Sequence, residues 1–129
     1  MPTILAIVLD LACVALLAVI GRSAHSEGLG AAEVGRTAMP FVVACLAAWV
    51  FLMLRRFTDS PWVQGLTVWV VTVGVGMVVR GLLGEGTHWS FVLVAATFLA
   101  ATMAGWRGIA GLVLRRRATR ESVTARSRP

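Results

Sequence analysis

One carboxylate interrupts the first apolar run of this chain: Asp10, inside residues 4–20. If that run crosses a bilayer, a charged Asp near its middle costs roughly 2.5–3.5 kcal/mol on insertion scales. It therefore needs a cation, hydrogen-bond donors or a bound proton. Thr67 and Thr72 are candidate donors, and Arg80 and Arg107 are the arginines that fall within the ends of apolar segments. Arg80 would have to reach inward and Arg107 outward, and each could instead snorkel to the headgroups. Asp10, Thr72, Arg80 and Arg107 thus form a candidate intramembrane polar cluster. Two chemistries stay open for it. One is a proton relay or ion-coupling carboxylate; the other is a hydrogen-bonded Asp that only ties helices together.

A second group lies in two polar stretches, Gly21-Arg22-Ser23-Ala24-His25-Ser26-Glu27-Gly28 and Gly84-Glu85-Gly86-Thr87-His88. Arg22, His25, Glu27, Glu85 and His88 would share one membrane face if both stretches are loops on the same side. Two imidazoles and two carboxylates are a donor set for a transition metal. Glu85 and His88 also have the i, i+3 spacing of carboxylate metal bundles. Gly84 and Gly86 oppose the helix that this spacing requires. Solvated loops are therefore the preferred reading, with His25 and His88 only weak metal candidates and His25 a weak pH sensor. No phosphate loop, nucleophile elbow, zinc-protease helix or dinucleotide fingerprint is present. Neither enzymatic activity nor a cofactor is expected.

The elements that must position these residues follow from composition. The chain has 129 residues, 58% of them hydrophobic, with a mean hydropathy of +0.84. So few charges cannot keep that much apolar surface in water, and lipid is the expected solvent. Four apolar segments, about residues 3–21, 38–54, 62–83 and 89–107, each approach the roughly 20 residues a bilayer needs. The expected fold is all-α, an integral membrane four-helix bundle running up-down-up-down. Residues 1–114 form its transmembrane domain and residues 115–129 an Arg-rich, disordered tail.

Local signals set the expected boundaries. Pro2 precedes segment one; Pro40 falls in the first turn of segment two; Ser60-Pro61 reads as an N-cap and first helical residue of segment three. Gly21 to Thr37 reads as a loop, in which Glu33 and Arg36 could pair if a short helix forms. Ala6, Asp10, Cys13 and Leu17 share one helical face. Ala44 and Ala48, the Ala96, Ala100 and Ala104 ridge, and Gly65, Thr72, Gly74 and Gly76 supply small residues for close helix approach. Cys13 and Cys45 lack zinc-type spacing and read as small packing residues. The first segment lacks a basic leader and is broken by Asp10, so it is expected to be retained rather than cleaved.

Formal net charge is +6, carried entirely by arginine on the basic side. Four spans place both termini on one face with Arg55, Arg56 and the tail arginines; Arg22, Arg36 and Arg80 lie towards the other. The positive-inside rule then puts the termini in the cytoplasm and the chain in the inner or plasma membrane. Trp62, Trp89 and Trp106 fall near span ends, as interfacial aromatics do. The arginine tail has no interleaved aromatics for stacking on bases, so nucleic acid is not an expected partner. Anionic lipid headgroups suffice to explain the tail, and the small-residue faces also allow a homo-oligomer.

Several of these pieces together resemble a known family. Asp10, the Gly21-to-Gly28 stretch, Pro40-Phe41, Gly76-Met77-Val78-Val79-Arg80, Ser90-Phe91-Val92-Leu93-Val94 and Gly105-Trp106-Arg107 are similar to the bacterial family called domain of unknown function 3054. The likeness covers about residues 10–107. It implies a four-span integral membrane protein, found chiefly in actinobacteria and their relatives, with no assigned activity and no catalytic residues. Two functional readings remain: a structural or interaction module built around Asp10, and a small proton-coupled transporter acting as an oligomer. Tiny four-span exporters carry one essential carboxylate in their first helix. Those that insert in both orientations, however, keep their charge bias near zero, and this chain does not.

Overall fold

The computed structural model describes residues 2–24, 28–56 and 60–127. Within them the chain forms the helices α1 Thr3–Ala24, α2 Ala31–Leu54, α3 Pro61–Leu82 and α4 Trp89–Arg126. Each is long and apolar enough to cross a membrane, which makes this a multi-pass membrane protein with an all-α bundle. The helices close a ring in which α1 packs on α2, α2 on α3, α3 on α4 and α4 back on α1. Short connections force sequence neighbours to run antiparallel. One end of the bundle therefore carries the α1–α2 and α3–α4 connections, and the other carries both termini.

Each helix buries one narrow stripe at helical spacing. These are Asp10, Val14, Leu17 and Ala18 on α1; Gly65, Val68, Thr72 and Gly76 on α3; and Ala95, Leu99, Met103 and Arg107 on α4. On α2, Phe41, Cys45, Ala48, Trp49 and Leu52 face inward, together with Ala44. Large apolar side chains cover the outside, Ile4, Leu66, Val78 and Ile109 among them. An apolar exterior around a partly polar centre is the pattern expected in lipid, where the tails are as apolar as Leu.

Glycine sets how closely two of the helices approach. A Cβ on Gly76 would stand 2.6 Å from Phe41 Cδ1, and one on Gly65 would stand 2.6 Å from Arg107 Nε. Gly74, expected at a contact, is exposed; it lies two residues, or about 200°, away from both Thr72 and Gly76 on the helix wheel. The alanine ridge is likewise displaced. Ala104 is exposed and Ala96 and Ala100 are half-buried, because the next stripe round the helix, Leu99, Met103 and Arg107, takes the inward face.

Three boundaries differ from those expected. Helix α2 starts at Ala31, after Gly30, and not near Ala38. Ala31, Ala32 and Glu33 are good helix formers, and an acid in the first turn suits the helix dipole. Pro40 is therefore internal, and the Arg36 carbonyl loses the amide donor that residue 40 would otherwise supply. Helix α1 runs three residues further than expected, to Ala24. The third difference is the tail: α4 continues through Arg126 where disorder was expected. After Gly111 that stretch has no Gly or Pro, and Leu, Ala and Arg favour helix. The Thr119 and Thr124 hydroxyls also donate back to the Arg115 and Arg120 carbonyls, at 3.0 and 2.9 Å.

Expected caps do form on α3. Ser60 Oγ accepts from the Val63 amide at 3.4 Å, with Pro61 as the first helical residue. At the other end Gly84 adopts φ +75°, donating to Gly81 O, while the Glu85 amide donates to Arg80 O at 3.1 Å. This Schellman closure turns the chain back over the helix end. It is what delivers Glu85 to Arg80.

Candidate functional site

Asp10 is fully buried, and four donors from two other helices surround its carboxylate. Arg107 grips it with a two-pronged fork, Nη1 to Oδ1 at 2.7 Å and Nη2 to Oδ2 at 2.8 Å. Trp106 Nε1 donates to Oδ1 at 2.9 Å, and Trp49 Nε1 donates to Oδ2 at 3.1 Å. Each oxygen thus accepts two hydrogen bonds. The cation is held as firmly: Arg107 Nη1 also donates to Met103 O at 3.2 Å, and its Cζ lies 4.2 Å from the Trp106 ring centroid. Its stem crosses α3 where Gly65 leaves room. All four helices therefore meet at this point, α1 with the acid, α2 with an indole, α3 with a bare backbone, and α4 with the guanidinium and a second indole.

Helix direction explains the match. Side chains lean towards their own helix N-terminus, and α1 and α4 are antiparallel neighbours. Asp10 leans towards the terminal end of the bundle and Arg107 away from it, so the two converge. The remaining members of the expected cluster lie elsewhere. Thr72 is buried, but its hydroxyl does not bond Asp10. Thr67 donates to its own helix, to Val63 O at 3.0 Å. Arg80 sits at the opposite end of the bundle, where its Nη1 is 2.7 Å from Glu85 Oε2 and its Nε donates to Gly86 O at 3.0 Å. Trp106, expected at the interface, is instead half-buried on Asp10.

A cavity of about 840 Å³ occupies that opposite, loop-bearing end. Arg22, Arg36 and Arg80 line it with Glu33 and Glu85, and Phe41 and Phe91 give it an apolar floor. Arg22 Nε donates to Gly28 O at 2.7 Å and its Nη1 to Thr37 Oγ1 at 3.1 Å. Glu33, which could have paired with Arg36 if a helix formed there, faces Arg22 instead, at 3.7 Å. Arg80 lays its guanidinium 4.4 Å from the Phe91 centroid. Of the expected loop-face group, Arg22 and Glu85 meet in this cavity. His88 does not line it: its Nδ1 lies 3.2 Å from Ser90 Oγ and its ring is tilted against Trp89, with centroids 6.5 Å apart. His25 and Glu27 lie outside the described residues. Among the described residues no three His, Cys, Asp or Glu side chains group as metal ligands.

Sequence reasoning missed Trp49, Trp106 and Gly65 at the buried pair, and Glu33, Arg36 and Thr37 at the cavity. The first three share one signal, a depth in the membrane close to that of Arg107. The last three were hidden by reading residues 31–37 as loop.

The family model described as protein of unknown function (DUF3054) matches residues 7–110. The chain belongs to that family, as its resemblance implied. The matched range contains Asp10, Trp49, Gly65, Trp106 and Arg107 as well as the three cavity arginines, and leaves most of the basic end of α4 outside. No curated protein and no solved structure matches the chain.

Proposed function

Proceeding from membership of a family that carries no assigned activity, we propose that this protein is a structural or interaction module of the cell membrane, with both termini in the cytoplasm. The Asp10–Arg107 pair serves as its central fastener. One observation carries this reading: each Asp10 oxygen already accepts two hydrogen bonds, from Arg107, Trp106 and Trp49. A relay carboxylate needs a vacant lone pair and water to exchange its proton with. Here a proton would have to displace an arginine or an indole. The basic end of α4 supports contact with anionic lipid headgroups on the cytoplasmic side, where such lipids concentrate. The competing reading, a proton-coupled transporter acting as an oligomer, draws on the same buried acid and differs in what its loss does.

The test is Asp10→Asn, followed both as folded protein in detergent and as proton flux in sealed vesicles. For a fastener, the variant loses stability and monodispersity, because Arg107 is left without a counter-charge, and wild-type vesicles hold an imposed pH gradient as well as empty ones. A variant with wild-type melting that has lost a proton flux seen in the wild type overturns the proposal in favour of transport.

A further inference from the structure

The loop-end cavity is not used by the fastener, and its chemistry is specific. Three guanidiniums arrive from three helices, Arg22 from α1, Arg36 from α2 and Arg80 from α3, against two carboxylates, Glu33 and Glu85. Among the described residues the lining thus has one positive charge in excess. Two of the arginines are held before any ligand arrives. The Arg22 side chain is 16% exposed and bonded to Gly28 O and Thr37; the Arg80 side chain is 14% exposed, bonded to Gly86 O and stacked on Phe91. The Arg36 side chain makes no hydrogen bond among the described residues, and neither does Nη2 of Arg80. Open N–H groups thus remain on two walls of a space whose volume, about 840 Å³, is that of a small-molecule site. Below them the half-buried Phe91 offers apolar surface, backed by the buried Leu17 and Phe41.

We infer that this cavity binds an amphipathic phosphodiester. A phosphodiester carries one negative charge, equal to the excess among the described lining residues. It also exposes two unesterified oxygens, one for Arg36 and one for Arg80, in the geometry that guanidinium groups recognise. Its apolar part lies on the Phe41–Phe91 floor. The two carboxylates hold Arg22 and Arg80 in place and discriminate against more highly charged phosphate monoesters. A phospholipid headgroup and a soluble phosphodiester share this chemistry.

Native mass spectrometry of delipidated full-length protein tests it, with phosphatidylglycerol as the lipid probe and diethyl phosphate as the soluble one. One phosphatidylglycerol per chain is expected to be retained. Arg36→Gln and Arg80→Gln should each weaken retention about tenfold, the equivalent of one charge-assisted hydrogen bond. Arg115→Gln/Arg116→Gln on the far end of α4 should leave it unchanged. Arg36 is exposed and pairs with nothing described, so its variant tests binding even if the Arg80 variant fails to fold. Competition by diethyl phosphate assigns the site to soluble phosphodiesters, and retention of phosphatidylglycerol alone assigns it to lipid. Failure of both probes to bind, or equal loss in the Arg115/Arg116 variant, overturns the inference. Neither result bears on Asp10, which lies at the other end of the bundle.

Discussion

At the scale of single residues, Asp10 shows why indole is a suitable partner for a buried acid. Trp offers one N–H donor and no acceptor on a large apolar body, so Trp49 and Trp106 satisfy the carboxylate while keeping water and lipid away from it. Breaking a buried pair from one side leaves a stranded charge and costs about 3–5 kcal/mol, whereas replacing both partners with apolar groups is often near neutral. We therefore expect Asp10→Leu alone and Arg107→Leu alone each to lower melting sharply in detergent. The Asp10→Leu/Arg107→Leu double variant should recover most of the loss; additive losses in that thermal melting cycle would sink the fastener reading. Arg107→Lys should fall between wild type and Arg107→Leu, since an ammonium keeps the charge but cannot form the two-pronged contact. The acid was legible in the sequence, because a charge within an apolar run stands out. Its partner was not, because Arg80 and Arg107 both lie near span ends. Helix rise separates them: measured from the loop-bearing end, Asp10 lies about 21 Å deep, Arg107 about 27 Å and Arg80 about 3 Å. An arginine side chain spans the first difference but not the second.

At the scale of helices, the same arithmetic places Trp49 and Gly65 about 26–27 Å from that end, level with Arg107. That level was readable once helix ends were known. The ends themselves were the obstacle on α2, where Pro40 drew the expected start towards it and the shorter cue, Gly30 followed by Ala-Ala-Glu, marked the true one. Faces were harder to read than ends. In a helix apolar all round, alanine and glycine spacing cannot say which stripe turns inward, and the buried Arg107 decided it for α4. Glycines therefore divide by what lies opposite them. Gly65→Ala should destabilise by about 1–3 kcal/mol, as overpacking does, since Arg107 is pinned by Asp10 and cannot yield. That cost should shrink when Arg107 is Leu. Gly74→Ala and Gly105→Ala, with nothing within 4 Å of the added Cβ, should be neutral or stabilise by up to about 1 kcal/mol through helix propensity. Parallel thermal melts of the four single variants, Gly76→Ala included with Gly65→Ala, would check the division. At the end of α2, Arg56 takes φ 50°, a left-handed position that glycine occupies without strain. Arg56→Gly should raise melting by the equivalent of roughly 1 kcal/mol.

At the scale of the molecule, the long fourth helix makes the two ends of the bundle unequal. Its 38 residues extend about 57 Å, against about 30 Å of hydrocarbon, so its last turns stand outside the membrane. Among the described residues none after Arg107 is buried. The projecting turns contribute little to the core, and removing residues 115–129 should leave the melting of the bundle close to that of the full chain. Orientation is another matter. With the tail, the terminal end carries Arg55, Arg56 and the arginines from Arg115 onward, against Arg22, Arg36 and Arg80 at the other end. Without it the balance becomes two against three, and the positive-inside preference on which the proposed orientation rests is lost or reversed. Thr87→Cys, at an exposed position in the α3–α4 connection, reports this directly, since Cys45 is buried and Cys13 half-buried. In intact spheroplasts the full-length variant should react completely with a membrane-impermeant maleimide. The chain ending at Leu114 should be labelled only in part until the membrane is opened. Complete labelling of both would mean that the tail does not set topology, and its arginines would then need some other account than the charge asymmetry of the membrane.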